Sequence, residues 1–275
     1  MKPSYEIMTV DNIRYIRIPE LMAAGLNHLF TTIDMNMRVN EHEENEEVAE
    51  NLEKIYQAMD IYPEQFYFMD QKHSDWVSIV DEPELGRKYK FGHRNIGVDG
   101  LITAQKNYVL ASTEADCVPI IFYDPVKKVQ ANIHSGWKGT FSRISRRAIK
   151  NMKMAYDVDP ADLIVGVGPH IAAESYEIKD DVGDLFYGTF SEVDQFISYS
   201  NGRMLLDLEK AIEISLIEEG ILKEHIYTVG LDTYAKKELL HSYRRDQEDS
   251  NLSACITTML QPGEHFEPEI PETIE

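Results

Sequence analysis

The runs VPIIFYD and VQANIH face each other across Asp124-Pro125, and both are almost wholly apolar. A strand with one wet face alternates apolar and polar residues, whereas a continuous β-branched and aromatic run belongs to a strand covered on both sides. The two runs therefore read as paired, buried strands joined at the Asp124-Pro125 turn. VDGLIT, NYVLAST and LIVGVGPHI read as further buried strands, the last ending in a Gly-Pro loop. IRYIRIPEL alternates, NHLFTTI is a short strand, and FYFMDQKHSDWVSIV divides into two strand segments interrupted near His73.

After His134 the period changes. Phe141, Ile144, Ala148, Met152 and Ala155 recur every three or four residues, which predicts a helix with Thr140 as its N-cap. NEHEENEEVAENLEKIYQAMDI places Val48, Leu52, Ile55, Tyr56 and Met59 on one helical face under an acidic outer surface. LLDLEKAIEISLIEEG predicts a third amphipathic helix, closed by Gly220. Strands and helices do not alternate as strict βαβ units, so the class expected is α+β, a layered sandwich of mixed β-sheets with outer helices. No repeat or Gly/Ser-rich linker divides the chain, which reads as one domain over residues 1–260. QPGEHFEPEIPETIE, residues 261–275, is Pro- and Glu-rich and reads as a disordered acidic tail.

With 43% hydrophobic residues in 275, the chain can bury a core. Its net charge of -21 excludes nonspecific nucleic-acid binding and docking on anionic membranes, both of which need clustered lysine and arginine. An anionic substrate would need a local basic pocket. Two cysteines, Cys117 and Cys255, make no disulfide framework. The first residues carry no apolar leader, and no apolar run approaches the ~20 residues that span a bilayer. The chain reads as cytoplasmic, with small molecules rather than nucleic acid or membrane as partners. Nothing in the sequence sets its oligomeric state.

Three residues stand where chemistry collects on rigid scaffolds, at strand ends and the loops leaving them. His73 interrupts a strand pattern, Cys117 follows Asp116 at a loop-to-strand junction, and His134 ends a strand before SGWKG. Two imidazoles and a thiolate suit zinc, and three protein ligands leave a fourth tetrahedral position for water or substrate. Their spacing alone does not choose between this and a buried thiol with unrelated histidines. Of the other histidines, His170 in GPHI is the one candidate for a pocket.

DQKHSDWV, DGLIT, ADCVPIIFYDP, IHSGWKG, VGPHI with SYEI, LDL and SYRRD occur in that order between about Phe30 and Leu260. The series resembles the YfiH-like laccase-domain family. The resemblance implies the YfiH-like fold and a zinc held by His73, Cys117 and His134, which then form the catalytic centre. It also implies phosphorolysis of inosine, adenosine and methylthioadenosine, and adenosine deamination, with purine nucleosides and phosphate as ligands. Lys138, Arg244 and Arg245 are the expected cationic contacts, and Gln71 an expected contact to a substrate heteroatom. Copper is disfavoured, because a multicopper oxidase uses paired His-x-His motifs and the chain has none. Two departures bear on substrate: FTTIDMNMRV has Ile33 where the family carries an arginine, and it lacks the glycine-rich loop. Weaker phosphate dependence is the expected consequence. Two other readings use the same residues: a cysteine hydrolase with Cys117 as nucleophile and His134 as base, and a non-catalytic binding protein.

Overall fold

The computed structural model describes residues 1–39, 46–82, 85–89 and 92–266. Val118–Asp124 and Val129–Ser135 pair antiparallel, with Pro119 opposite His134, in the interior of a seven-stranded sheet. Its order runs Lys2–Pro3, Ile226–Thr228, Ile164–Val167, Val118–Asp124, Val129–Ser135, Gly100–Thr103, Val77–Ile79. A second sheet of eight strands has Ser253–Thr258, Tyr108–Glu114, Gln65–Asp70 and Gly92–Ile96 as successive neighbours. Both sheets mix parallel and antiparallel pairs, as the lack of βαβ alternation predicts.

The sheets pack face to face. Ile121 and Tyr123 of the first meet Phe30 and Cys255 of the second, and Leu101 meets Tyr67 and Leu110. Asn132 bridges the gap, donating to the carbonyls of Leu110 (3.3 Å) and Cys255 (2.9 Å). On the outer face of the second sheet, helix Glu46–Met59 buries Val48, Leu52, Ile55 and Met59 against Leu29, Phe68 and Val109. Helices Ile144–Tyr156 and Leu208–Glu218 cover the first sheet through Ile144, Ala148, Met152, Ile212 and Leu216. The result is helix, sheet, sheet, helix. No helix among the described residues is long and apolar enough to cross a membrane.

Two local expectations are corrected. Thr140 is no N-cap: a short helix, Trp137–Phe141, starts earlier, and Arg143 in left-handed conformation (φ 56°) separates it from Ile144–Tyr156. Thr140 turns inward instead, its hydroxyl 3.0 Å from that of Ser135. Nor does order stop at residue 260. Glu264–His265 pairs parallel with Ile61–Tyr62, and only residues 267–275 of the expected tail lie outside the described residues.

Gly168 follows strand Ile164–Val167, and its N–H donates to the carbonyl of Pro119 (2.9 Å). An added Cβ would stand 2.3 Å from a ring carbon of Phe30 and 2.7 Å from Pro119 Cγ. Gly168→Ala should therefore cost about 1–3 kcal/mol, the usual penalty of overpacking. Urea unfolding checks this, and an unchanged midpoint would refute it.

Candidate metal centre

The site is built at one end of the stacked sheets. His73 lies in the loop that leaves strand Gln65–Asp70 of the second sheet and enters Val77–Ile79 of the first. It adopts φ 57°, an unfavourable conformation for a residue with a Cβ, so something must hold it. Asp99 does. Its buried carboxylate accepts from the backbone N–H groups of Lys72 (3.2 Å), His73 (3.0 Å) and Ser74 (2.7 Å), and from the Ser74 hydroxyl (2.6 Å).

The same carboxylate lies 2.9 Å from Nδ1 of His134, whose backbone N–H donates to the Asp99 carbonyl (2.8 Å). With Nδ1 engaged, the ring presents Nε2 to the cavity, the orientation that a carboxylate on the far nitrogen gives metal-ligating histidines. Although burial opposes ionisation of Asp99, these donors hold its pKa down at about 2. The stability this carboxylate supplies is complete above the ordinary carboxylate range and is lost as pH falls towards 2.

Cys117 precedes strand Val118–Asp124 and follows Asp116, itself in left-handed conformation at φ 85°. The Asp116 carboxylate accepts from the Thr233 hydroxyl and the Arg244 N–H, both at 2.6 Å. Cys117 Sγ is 3.8 Å from His73 Nε2, and the His73 and His134 rings stand 5.0 Å apart, nearly perpendicular. One ligand atom from each of the three residues lies within 4.8 Å of the others. Bonds of ~2.0–2.3 Å in a tetrahedral site put neighbouring donors roughly 3.3–3.8 Å apart, so the set is close to the required span. Burial alone would raise the Cys117 thiol, but the two imidazoles outweigh it and push the group towards thiolate.

Gly136 makes the arrangement sterically feasible, since a Cβ there would come within 2.9 Å of both Cys117 Sγ and the His73 ring.

The three residues line a cavity of about 730 Å³. Its walls include Trp137 and Tyr176, and three guanidinium groups, Arg38, Arg94 and Arg244. Arg94 pairs with Asp70, Arg38 donates to the Ser250 carbonyl, and Arg244 donates to the Glu177 carbonyl (3.0 Å) while lying over the Tyr176 ring. Glu114 is buried in the same wall, its pKa raised to about 8 by that burial.

Of the remaining expected residues, Arg244 and Gln71 reach the cavity. The Gln71 amide, however, pairs with the backbone of Thr113, donating to its carbonyl (2.7 Å) and accepting from its N–H (2.9 Å). Lys138 and Arg245 do not line the cavity. Lys138 is exposed over the Trp137 ring, and Arg245 is taken up by Asp246 and the carbonyls of Thr233 and Leu240. His170 is buried elsewhere, with Nδ1 2.9 Å from the Gly168 carbonyl. Ile33 lies off the cavity, its N–H donating to the Leu239 carbonyl. Asp99, Glu114, Arg38 and Arg94 were not singled out from sequence. Of these only Asp99, in the DGLIT run, carried a signal.

Residues 27–258 match the family described as multi-copper polyphenol oxidoreductase laccase. The chain belongs to that family. Among relatives of this laccase family, purine nucleoside phosphorylase YlmD of Bacillus subtilis is 31% identical over 215 residues, covering 78% of this chain and 77% of its own. A purine nucleoside phosphorylase of Clostridium acetobutylicum is 32% identical, covering 77% and 82%. The crystal structure of Bacillus licheniformis hypothetical protein YfiH superposes with a TM-score of 0.79 at 26% identity, over 91% of this chain and 98% of that one. YlmD of Geobacillus stearothermophilus, at 23% identity and a TM-score of 0.81 over 92% and 98%, shares the fold. This laccase-family chain thus has the layered YfiH/YlmD architecture.

Asp99→Asn should weaken metal binding by about 10–100-fold, the usual cost of losing a carboxylate that orients a ligating histidine. Competition with a chromophoric chelator measures it, and an unaltered affinity would show that Asp99 does not orient His134.

Proposed function

We propose that the protein is a zinc-dependent purine nucleoside phosphorylase that also deaminates adenosine. The observation that carries this reading is the convergence of His73, Cys117 and His134 in one wall of a cavity roomy enough for a nucleoside and phosphate. It is supported by relatives that bear the phosphorylase name across more than three quarters of their length. The donor set of two imidazoles and a thiolate, closely spaced and with His134 oriented by Asp99, fits zinc. Bound there, zinc would supply Lewis acidity and a water of lowered pKa. Among the described residues this is the single cluster of ligand spacing, so the several coppers of a laccase lack a ligand set.

The chain's own residues supply the rest. Trp137 and Tyr176 offer aromatic faces for a purine. Arg38, Arg94 and Arg244 bring positive charge into an otherwise strongly acidic protein, and phosphate is the ligand such a wall favours. Phosphate contact therefore does not hinge on residue 33. Lys138 and Arg245 lie off this wall.

Purified protein should contain about one zinc per chain. Inosine and methylthioadenosine should release free base only when phosphate is present, and adenosine should also yield inosine without it. Chromatography of the products checks both. Cys117→Ala removes the sole thiolate ligand and should abolish metal retention and turnover together. If the zinc-loaded protein leaves all three nucleosides unchanged, the enzyme reading fails and the binding-protein reading replaces it.

A further inference from the structure

Glu114 is the one acid in the cavity wall with no assigned task. Asp70 is held by Arg94 and Lys72, and Asp116 by Thr233 and the Arg244 N–H. Glu114 has a single hydrogen-bond partner, the Ser112 hydroxyl, which donates to Oε2 at 2.9 Å. Among the described residues Oε1 has no hydrogen-bond partner, and no hydrogen bond ties the carboxyl to His73, Cys117 or His134. Glu114 borders both the main cavity and a second void of only about 10 Å³, whose walls include Phe30, Leu240, Asp116 and Thr233. A buried carboxyl without a cationic partner favours its neutral form, and a polar group left unpaired in a binding wall is a contact reserved for ligand.

We infer that Glu114 is a catalytic acid that touches the purine through Oε1 and hands it a proton as the glycosidic bond breaks. The inference rests on the phosphorolytic reading above. In the step, the C1′–N9 bond breaks and its electron pair passes to the purine. The Glu114 proton moves to the purine N7 while an oxygen of hydrogen phosphate forms the new bond to C1′. The phosphate proton, released as ribose 1-phosphate forms, restores the carboxyl. Proton donation of this kind contributes about 10²–10⁴-fold to rate.

A nucleoside already alkylated at N7 leaves without needing that proton. Glu114→Gln keeps the side chain's size and its acceptor for Ser112 but cannot donate an acidic proton. It should therefore lower inosine turnover about 100-fold or more while leaving 7-methylinosine turnover nearly unchanged and metal content intact. Equal losses on the two substrates, or no loss on either, would overturn the assignment. If the glutamine variant does not fold, Glu114→Asp serves, because it retracts the acid without removing it. It should depress the inosine to 7-methylinosine ratio by a smaller factor, and an unchanged ratio would overturn the role. Wild-type protein that cleaves neither nucleoside with phosphate defeats the phosphorolytic reading itself, and this inference with it. That outcome is distinct from an active wild type with an unselective variant.

Discussion

One buried carboxylate organises the end of the molecule where the candidate ligands lie. Moving a carboxylate out of water costs several kcal/mol unless donors saturate it, and Asp99 is saturated by three consecutive backbone N–H groups, a hydroxyl and an imidazole. The cost of burial and the shape of the 72–74 loop are thus the same matter, since the loop can satisfy that charge in only a few conformations. Left-handed His73 is the conformation it takes. Asp99 immediately precedes strand Gly100–Thr103, which pairs with the strand carrying His134, so the carboxylate gathers two candidate ligands from elements distant in sequence. Cys117 arrives independently, through the strand pairing that sets Pro119 opposite His134.

A second acid plays a matching part beside Cys117. Asp116, also left-handed, ties the residue preceding Cys117 to Thr233 and to the segment bearing Arg244. The cationic side of the cavity is therefore fastened to the backbone that presents the thiol. A chain of net charge -21 repels anions at long range, so an anion reaching Arg244 is held by short, directed contacts.

Much of this was legible in the sequence, for identifiable reasons. Buried strands announce themselves by continuous apolar runs, and the outer helices by the switch to a 3.6-residue period. The three candidate ligands stood out because Cys117 and two histidines fall at breaks in those patterns, and the motif order drew them together. What sequence could not show was which way a charge points. Lys138 and Arg245 look like neighbours of the site, yet one faces solvent and the other is consumed by carbonyls. Arg38 and Arg94 look like surface charge and line the cavity. Glu114 sits in an otherwise ordinary strand, where alternation turns it between the sheets. The start of the helix after His134 was misplaced because Thr140 is a good cap by composition, whereas the helix begins at Trp137 with no side-chain cap. The short strand Glu264–His265 depends on a partner two hundred residues away, which no local pattern reveals.

The cavity is divided along the chain in a way that matters for how such a protein can change. The candidate ligands and their carboxylate occupy residues 73–134, at the ends of central strands of the two stacked sheets. Much of the facing wall, with Ile171, Tyr176, Leu208, Tyr243 and Arg244, comes from the later half of the chain. Those residues lie in loops, helix starts and a four-residue helix rather than in the central strands. Loops accept new side chains and new lengths far more readily than a sheet with both faces covered. The lining of the facing wall can therefore drift on one stretch of polypeptide while the candidate ligand set stays untouched on another.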